Sequence, residues 1–364
     1  MMRILAVAGS SGGHIFPAIG FLDECKAAHP DAKTMLVVPA RSVAGRIPCG
    51  AHALGRVSAE ALSARPGRAS LISLWAFIKS FVESITLLSR FKPDIVVGFG
   101  SIASIPVVLC AWLFRITVVI HEQNVLPGRA NRFLAHVSGR IAVSFRQSAD
   151  FFAGNRTKVV WTGNIIRRSL VAIDRRDARM YFKLDPDKRT ILVMGGSQAS
   201  RRINAGFVEA FRVLPHRRRY QVIHLCGEAD QDDLEKAYAG CGAEVRLIAF
   251  LNEMQYAYSA SDLAISRAGA TTVAELTAYR LPAILIPYPY ARRHQDENAR
   301  VLAQAGCVVV VADEQIDSGV LSRALEAATA TETAADSMRA AYDRVNNGTP
   351  SSLVDTVFQV HHHG

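Results

Sequence analysis

The sequence predicts an α/β protein made of two doubly wound domains, each a parallel sheet with helices packed on it. Three observations predict this. Short apolar runs alternate with amphipathic stretches of helical spacing, the pattern of a βαβ series. The series opens twice, each time as a strand, a Gly-containing turn and a helix. A chain of 364 residues also fits two domains of roughly 150–200 residues better than one.

In the first series, Arg3–Ala8, Thr34–Val38, Asp94–Val97, Thr117–His121 and Arg140–Val143 read as buried parallel strands. Pro17–Ala28 and Leu71–Phe91 carry helical spacing between them. The switch falls near Val159–Leu170. The second series begins with a strand at Thr190–Met194 and a helix from about Arg202. It continues through Tyr220–Leu225, Val245–Ile248, Leu263–Ile265, Ala283–Ile286 and Val308–Val310. The tail is helical: Thr349-Pro350 reads as an N-cap followed by Pro at the first helical position. Leu353, Val354, Val357 and Phe358 then form one apolar face, expected to pack back on the first domain.

Composition narrows the function. Half of the residues are apolar and 20% are charged, slightly below the usual charged fraction of about 25%. The balance is basic, 42 Lys and Arg against 32 Asp and Glu, a formal +10. Nucleic acid, an anionic membrane surface or a phosphorylated substrate would each suit that charge. The basic residues scatter into short clusters at Arg167–Arg168, Arg201–Arg202, Arg217–Arg219 and Arg292–Arg293, which argues against nucleic acid. The six cysteines include no C-x-x-C pair, so neither a zinc site nor a disulfide framework is expected and a reducing compartment is the simple reading. The opening apolar run is too short for a signal peptide. No stretch reaches the length of a membrane span, and the longest candidate, Ile102–Val119, is broken by Pro106 and Arg115. The closing His361–His363 is given no function.

Six segments are candidates for chemistry. Gly9–His14 (G-S-S-G-G-H) joins a strand to a helix, where glycines let backbone approach a ligand and the helix start offers N–H groups. His14 is a candidate general base; a structural loop histidine fits the same position. Gly98-Phe99-Gly100-Ser101 also follows a strand and reads either as a second anion seat or as a tight turn. His121-Glu122-Gln123-Asn124 closes a buried strand with four hydrogen-bonding side chains, at the sheet edge where ligands usually bind. Gly195-Gly196-Ser197-Gln198 opens the second series; Ser197 can donate to a phosphate oxygen, and a plain turn fits equally. Ser266–Glu275 (S-R-A-G-A-T-T-V-A-E) is the most specific segment, with phosphates expected on the helix start and both ribose hydroxyls on Glu275. His294-Gln295-x-x-Asn298 places Gln295 and Asn298 on one helix face, suited to sugar hydroxyls or to plain surface polarity.

Together these segments closely resemble the MurG family of peptidoglycan synthesis, over nearly the whole chain and in order. The matching motifs are G-G-H-I-F-P-A (Gly12–Ala18), H-E-Q-N (His121–Asn124), G-N-x-x-R (Gly163–Arg167), G-G-S-Q (Gly195–Gln198) and S-R-A-G-A-x-T-x-A-E-L (Ser266–Leu276). The Phe250…Met254…Tyr258…Asp262 spacing matches as well. The resemblance implies the GT-B fold, two Rossmann-like doubly wound domains with an interdomain cleft. It implies an acceptor- and membrane-binding domain at 1–163, joined by a C-terminal helix at 349–360. A UDP-sugar-binding domain is implied at 164–345.

The activity implied is inverting transfer of N-acetylglucosamine from UDP-N-acetylglucosamine to the 4-hydroxyl of undecaprenyl-pyrophosphate-linked muramyl-pentapeptide. Carried over by position, Leu251 lies where the family's backbone reads uracil, Glu275 at the ribose, and Gln295 at the sugar hydroxyls. Arg167, Ser197 and Ala270, Thr271 and Thr272, with Val273 and Ala274 behind them, line the phosphates and their surroundings. Ser11, Gly12, Gly13 and Asn124 complete the nucleotide-sugar site, His14 is the implied base, and Gly100, Ser101, His121 and Glu122 are implied on the acceptor side.

No acidic metal-binding pair stands out, so turnover without metal or cofactor is expected. The implied location is peripheral, on the cytoplasmic face of the inner membrane. Trp75, Phe77 and Trp112–Phe114, flanked by Arg68, Lys79, Arg90 and Arg115, pack mostly in the core, with a remainder suited to an anionic membrane surface.

Three departures stand out. The family's second loop usually reads G-G-Y-x-S-G-P, where this chain has Gly100-Ser101-Ile102-Ala103-Ser104-Ile105-Pro106. The usual Pro of G-N-P-x-R is Ile165. The usual Gly-Ala after G-G-S-Q is Ala199-Ser200. They leave open a different lipid-linked acceptor, or a weakly active paralogue that binds UDP-sugar.

Overall fold

A computed structural model describes residues 1–40, 51–58, 68–196, 199–290, 293–345 and 348–363. The chain forms two compact units, one of residues 1–168 with 350–364 and one of residues 169–349.

The first unit runs β1 (Arg3–Val7), α1 (Gly12–Ala28), β2 (Lys33–Pro39), β3 (Ala53–Val57), α2 (Arg68–Phe91), β4 (Ile95–Gly98), α3 (Ser104–Leu113), β5 (Thr117–Glu122), α4 (Arg129–Leu134), β6 (Arg140–Val143) and β7 (Val159–Trp161). Its seven strands lie in the order β3-β2-β1-β4-β5-β6-β7, all parallel. The central strands are almost wholly buried because helices cover both faces, which is why they read as continuous apolar runs.

The second unit runs α5 (Arg175–Tyr181), β8 (Arg189–Met194), α6 (Arg201–Val213), β9 (Tyr220–Leu225), α7 (Gln231–Tyr238), β10 (Glu244–Ile248), α8 (Met254–Ala260), β11 (Leu263–Ser266), α9 (Ala270–Tyr279), β12 (Ala283–Leu285), α10 (His294–Ala305), β13 (Val308–Val310), α11 (Val320–Thr329) and α12 (Glu332–Val345). Its six strands lie in the order β10-β9-β8-β11-β12-β13, again parallel. Both sheets therefore wind outward from their first strand in one direction, then the other. In such sheets ligands bind beyond the carboxyl ends of the strands where the order reverses. That point lies between β1 and β4 in one unit and between β8 and β11 in the other.

The last helix, α13 (Leu353–His363), packs on α1, β5 and β6 of the first unit. Leu353, Val354, Val357 and Phe358 enter the same core as Phe21, Leu22 and Cys25. Its start differs from the expected one. Ser352, not Thr349, caps it, accepting from the Asp355 N–H at 3.2 Å. Pro350 lies before the helix because the Ser351 N–H is spent on the Trp161 carbonyl at the end of β7, 3.0 Å away. That bond holds the segment extended.

The α2 helix differs too. Phe77, Phe81 and Leu88 face the core, but Trp75, Ile78, Val82 and Ile85, at helical spacing, are exposed, as are Trp112, Leu113 and Phe114 at the end of α3. Core packing therefore accounts for less of this aromatic segment than its composition implies. Arg68 lies outside the residues whose side chains are described. No helix among the described residues is long and apolar enough to cross a membrane.

Candidate active site

In the first unit, Gly9 follows the end of β1, and Ser11 is the extended N-cap of α1 without a side-chain cap bond. Gly12, Gly13 and His14 form the first turn; the His14 N–H bonds the Ser11 carbonyl at 3.1 Å, and the N–H groups of Gly12 and Gly13 have no capping side chain from Ser11. Gly9 is needed for packing: a Cβ there would fall 2.6 Å from Ser101 Cβ and 2.9 Å from His14 Cδ2. The His14 ring thus lies against the turn that follows β4, and its Nδ1 is 2.7 Å from the Phe99 carbonyl oxygen. A second oxygen, Gln123 Oε1, lies 3.1 Å from the same nitrogen.

Gly100 and Ser101 both have positive φ, +84° and +74°. Glycine adopts that conformation freely, whereas a residue with a Cβ is strained in it. The departure at Ser101 therefore falls on a left-handed position.

The end of β5 is built inward. His121 and Glu122 are buried, at 0% and 2% exposure. Glu122 Oε1 accepts from the Asn124 N–H and Nδ2, at 3.0 and 3.2 Å. Its Oε2 accepts from the Gly128 N–H and Asn131 Nδ2, at 3.0 and 2.8 Å. Four donors on one carboxylate fold the H-E-Q-N segment into a fixed loop, so Glu122 positions Asn124 rather than facing solvent. Burial lowers the His121 pKa to about 4, opposed in part by a hydrogen bond to the Gly163 carbonyl. It is a neutral imidazole at physiological pH.

Next to it, the G-N-x-x-R loop lies along α1. Ile165 packs against Gly20, and the Arg167 guanidinium stacks 4.3 Å from the Phe16 ring. Both amide atoms of Asn164 are buried without a hydrogen-bond partner.

In the second unit, Gly195 admits no side chain, since a Cβ would meet the Ser200 nitrogen at 2.3 Å. Ser197 lies outside the described residues. Ala199, another glycine replacement, has φ +56°, so Ser101 and Ala199 stand at left-handed positions, whereas Ile105, the third replacement, lies in α3.

After β11, Arg267 is 8% exposed and acts as a hub. Its Nη1 donates to the Ile286 and Pro287 carbonyls at 3.1 and 3.2 Å and pairs with Asp313, and its Nη2 donates to Ser200 Oγ at 2.9 Å. It thereby ties together the loops after β8, β11, β12 and β13. Gly269 caps α9 without a side chain, leaving the N–H groups of Ala270, Thr271 and Thr272 unclaimed by a capping side chain. Thr271 Oγ1 is buried and unpartnered. Val273 and Ala274 continue the helix, and Glu275, 5% exposed, accepts from the Tyr258 hydroxyl at 2.6 Å.

Gln295, at the start of α10, accepts on Oε1 from the Ala268 and Tyr288 N–H groups at 3.1 and 2.9 Å. Its amide oxygen is thus committed to backbone. Asn298 is buried and donates to the Ala268 carbonyl at 3.2 Å, so it positions the turn. Leu251 is half-buried in the loop after β10.

The expected residues gather at the switch point of each sheet, apart from Leu251 beyond the edge strand β10 and the undescribed Ser197. Sequence reasoning did not single out Gln123, Asn131, Asn164 or Arg267 for function. They stand inside or beside the quoted motifs, but nothing in spacing tells a ligand contact from a side chain that holds the ligand contact.

Two family models match most of the chain: the glycosyltransferase family 28 N-terminal domain over residues 4–143 and its C-terminal domain over residues 190–349. The chain belongs to glycosyltransferase family 28. Among curated relatives of this family 28 chain, a protein of Thermodesulfovibrio yellowstonii is 36% identical, with 88% of each chain covered. One of Myxococcus xanthus is 34% identical over 89% of this chain and 83% of its own. Both are named UDP-N-acetylglucosamine–N-acetylmuramyl-(pentapeptide) pyrophosphoryl-undecaprenol N-acetylglucosamine transferase. Among solved structures, MurG of Acinetobacter baumannii superimposes with a TM-score of 0.74 at 22% identity, covering 99% of this chain and 100% of that one. A UDP-GlcNAc 2-epimerase of Neisseria meningitidis also superimposes, with a TM-score of 0.69 at 14% identity and full coverage of both. The fold is that of GT-B transferases, two Rossmann-like parallel-sheet units.

Proposed function

We propose that this family 28 chain transfers N-acetylglucosamine from UDP-N-acetylglucosamine to the 4-hydroxyl of a lipid-linked N-acetylmuramyl-pentapeptide. The observation that carries this reading is the match along the chain to relatives named for that reaction, with a histidine held at the switch point of the first sheet. The second unit takes the donor. The α9 N-terminus and Thr271 receive the diphosphate, Glu275 held by Tyr258 receives the ribose, Leu251 meets the uracil, and the Gln295 NH₂ donates to a sugar hydroxyl. The first unit supplies the base, with Asn124 and Arg167 completing the donor contacts.

The step is one inverting displacement. His14 Nε2 takes the proton of the acceptor 4-hydroxyl as its oxygen bonds to the anomeric carbon. The bond from that carbon to the β-phosphate oxygen breaks, and UDP leaves with the electron pair. Donors aimed at the departing diphosphate stabilise it by about 3–4 kcal/mol per group, and a positioned base contributes ~10²–10⁴-fold. The test is transfer from labelled UDP-N-acetylglucosamine to a short-chain lipid-linked muramyl acceptor. Label on the 4-hydroxyl supports the reading; donor binding with no transfer contradicts it. The left-handed Ser101 motivates a second reading, a different lipid-linked acceptor, which product analysis across defined acceptors separates from the first.

The exposed stripe of Trp75, Ile78, Val82 and Ile85, with Trp112–Phe114 and the exposed Lys79, Arg90 and Arg115, suits a peripheral seat on an anionic membrane, the cytoplasmic face of the inner membrane in this reading. Co-sedimentation with anionic vesicles at low salt, lost in a Trp75→Glu/Val82→Glu variant, is the expected result.

A further inference from the structure

We propose that Gln123 and His121 are positioning residues that fix which nitrogen of His14 accepts a proton, through a one-way chain of neutral hydrogen bonds ending on the Gly163 carbonyl. This deepens the reading of His14 as the base and rests on it.

The two ends of the chain fix its direction. A carbonyl oxygen only accepts. The Phe99 carbonyl is 2.7 Å from His14 Nδ1, so Nδ1 carries the hydrogen. The Gly163 carbonyl is 3.1 Å from His121 Nε2, so that nitrogen carries the hydrogen of His121. Its Nδ1 is then a lone pair, 3.0 Å from Gln123 Nε2. The same amide nitrogen lies 3.0 Å from the His121 carbonyl oxygen. Two acceptors at one end set the Gln123 amide with NH₂ towards His121 and oxygen towards His14, where it lies 3.1 Å from the Nδ1–H. A flipped amide would set donor against donor at His14 and acceptor against two acceptors at His121. With His121 and Gln123 at 0% and 1% exposure, water cannot relieve that mismatch. One proton arrangement satisfies every atom of the chain.

Two consequences follow for His14. Its Nε2 is left as the lone-pair nitrogen, the one that takes the acceptor proton. Its Nδ1–H faces two carbonyl oxygens, whose dipoles stabilise the positive charge that forms on the ring during transfer. A carboxylate in the place of Gln123 would stabilise that charge more, but it would also hold the ring protonated before the reaction. The other titratable groups nearby are committed. The Glu122 carboxylate is held by Asn124, Gly128 and Asn131. Arg167 is stacked on Phe16, two positions along α1 from His14.

The direct test is ¹⁵N NMR of the histidine rings in the full-length wild-type protein near neutral pH. The chain requires His14 as the Nδ1–H tautomer and His121 as the Nε2–H tautomer; the reverse tautomer at either ring, or a mixture, overturns it. The kinetic test is Gln123→Glu. The acid limb of its kcat/KM profile should rise by about one pH unit or more, with UDP-N-acetylglucosamine affinity unchanged; an unmoved limb overturns the proposal. In a second pair, His121→Gln, which keeps one donor and one acceptor, should retain more kcat than His121→Phe at equal donor affinity. Equal losses in the two contradict it. If His14→Ala keeps full turnover while the tautomers are as stated, the base assignment falls and the hydrogen-bond chain stands.

Discussion

The two switch points share a winding and differ in chemistry. Each lies between the first strand of a parallel sheet and the strand where the order reverses. In the first unit the groups that hold the His14 ring are neutral, an amide and a backbone carbonyl with an imidazole and a second carbonyl behind them, while the Glu122 carboxylate folds the neighbouring loops. In the second the loops are held by charge, Arg267 against Asp313 with three further bonds from the same guanidinium. The difference follows from what each unit does in the proposed reaction. A base changes its charge during turnover, and a fixed ion beside it would bias one state. A diphosphate stays anionic throughout, so its seat gains from loops pinned rigidly before it arrives.

The largest expected effect breaks the charged side. Arg267→Ala leaves Asp313 buried beside Arg202 alone, at 3.4 Å, and should cost about 3–5 kcal/mol in chemical unfolding of the second unit, with donor binding lost. Retention of both would show that the loops stand without the hub.

The next effect concerns pH. Burial holds His121 at about 4 and His224 at about 3, below the ordinary 6.5. An unfolded chain takes up those protons first, so each folded unit loses stability as pH falls from about 6.5 towards those values. The loss is about 1.4 kcal/mol per histidine per pH unit in that window. His121→Gln should flatten the acid slope of the first unit and leave that of the second, as read by urea unfolding at stepped pH. An unchanged slope would mean that His121 is protonated in the folded state.

The smallest effect treats both units alike. Ser101→Gly and Ala199→Gly should each raise stability by about 1 kcal/mol, because both positions have positive φ. A loss in either would mean that the side chain contributes more than its backbone strain costs.

Much of the fold was legible because central strands of parallel sheets are buried on both sides, and Ile4–Ala8 or Leu263–Ile265 can only be apolar. The edges were not. β3 leaves Ala53, Leu54 and Arg56 exposed and so shows no buried apolar run, and β7 is a run of only three half-buried residues inside the expected linker. The start of α13 was misplaced because a bond from Ser351 to the distant Trp161 overrode the local Thr-Pro signal. The glycine loops of the site could be read from motifs, since close approach of backbone leaves few alternatives. What holds His14 could not, because its partners Phe99 and Gln123 lie 85 and 109 positions along the chain. Sequence spacing carries no record of such contacts.

The central claim is the division of labour between the units, and one paired measurement tests it. UDP-N-acetylglucosamine affinity by calorimetry and transfer to a short-chain lipid-linked muramyl acceptor are compared for His14→Ala and Glu275→Gln. The account predicts that His14→Ala binds the donor within about two-fold of wild type while turnover falls ~10²–10⁴-fold, and that Glu275→Gln loses donor affinity. Undiminished turnover in His14→Ala, or undiminished donor affinity in Glu275→Gln, would contradict it.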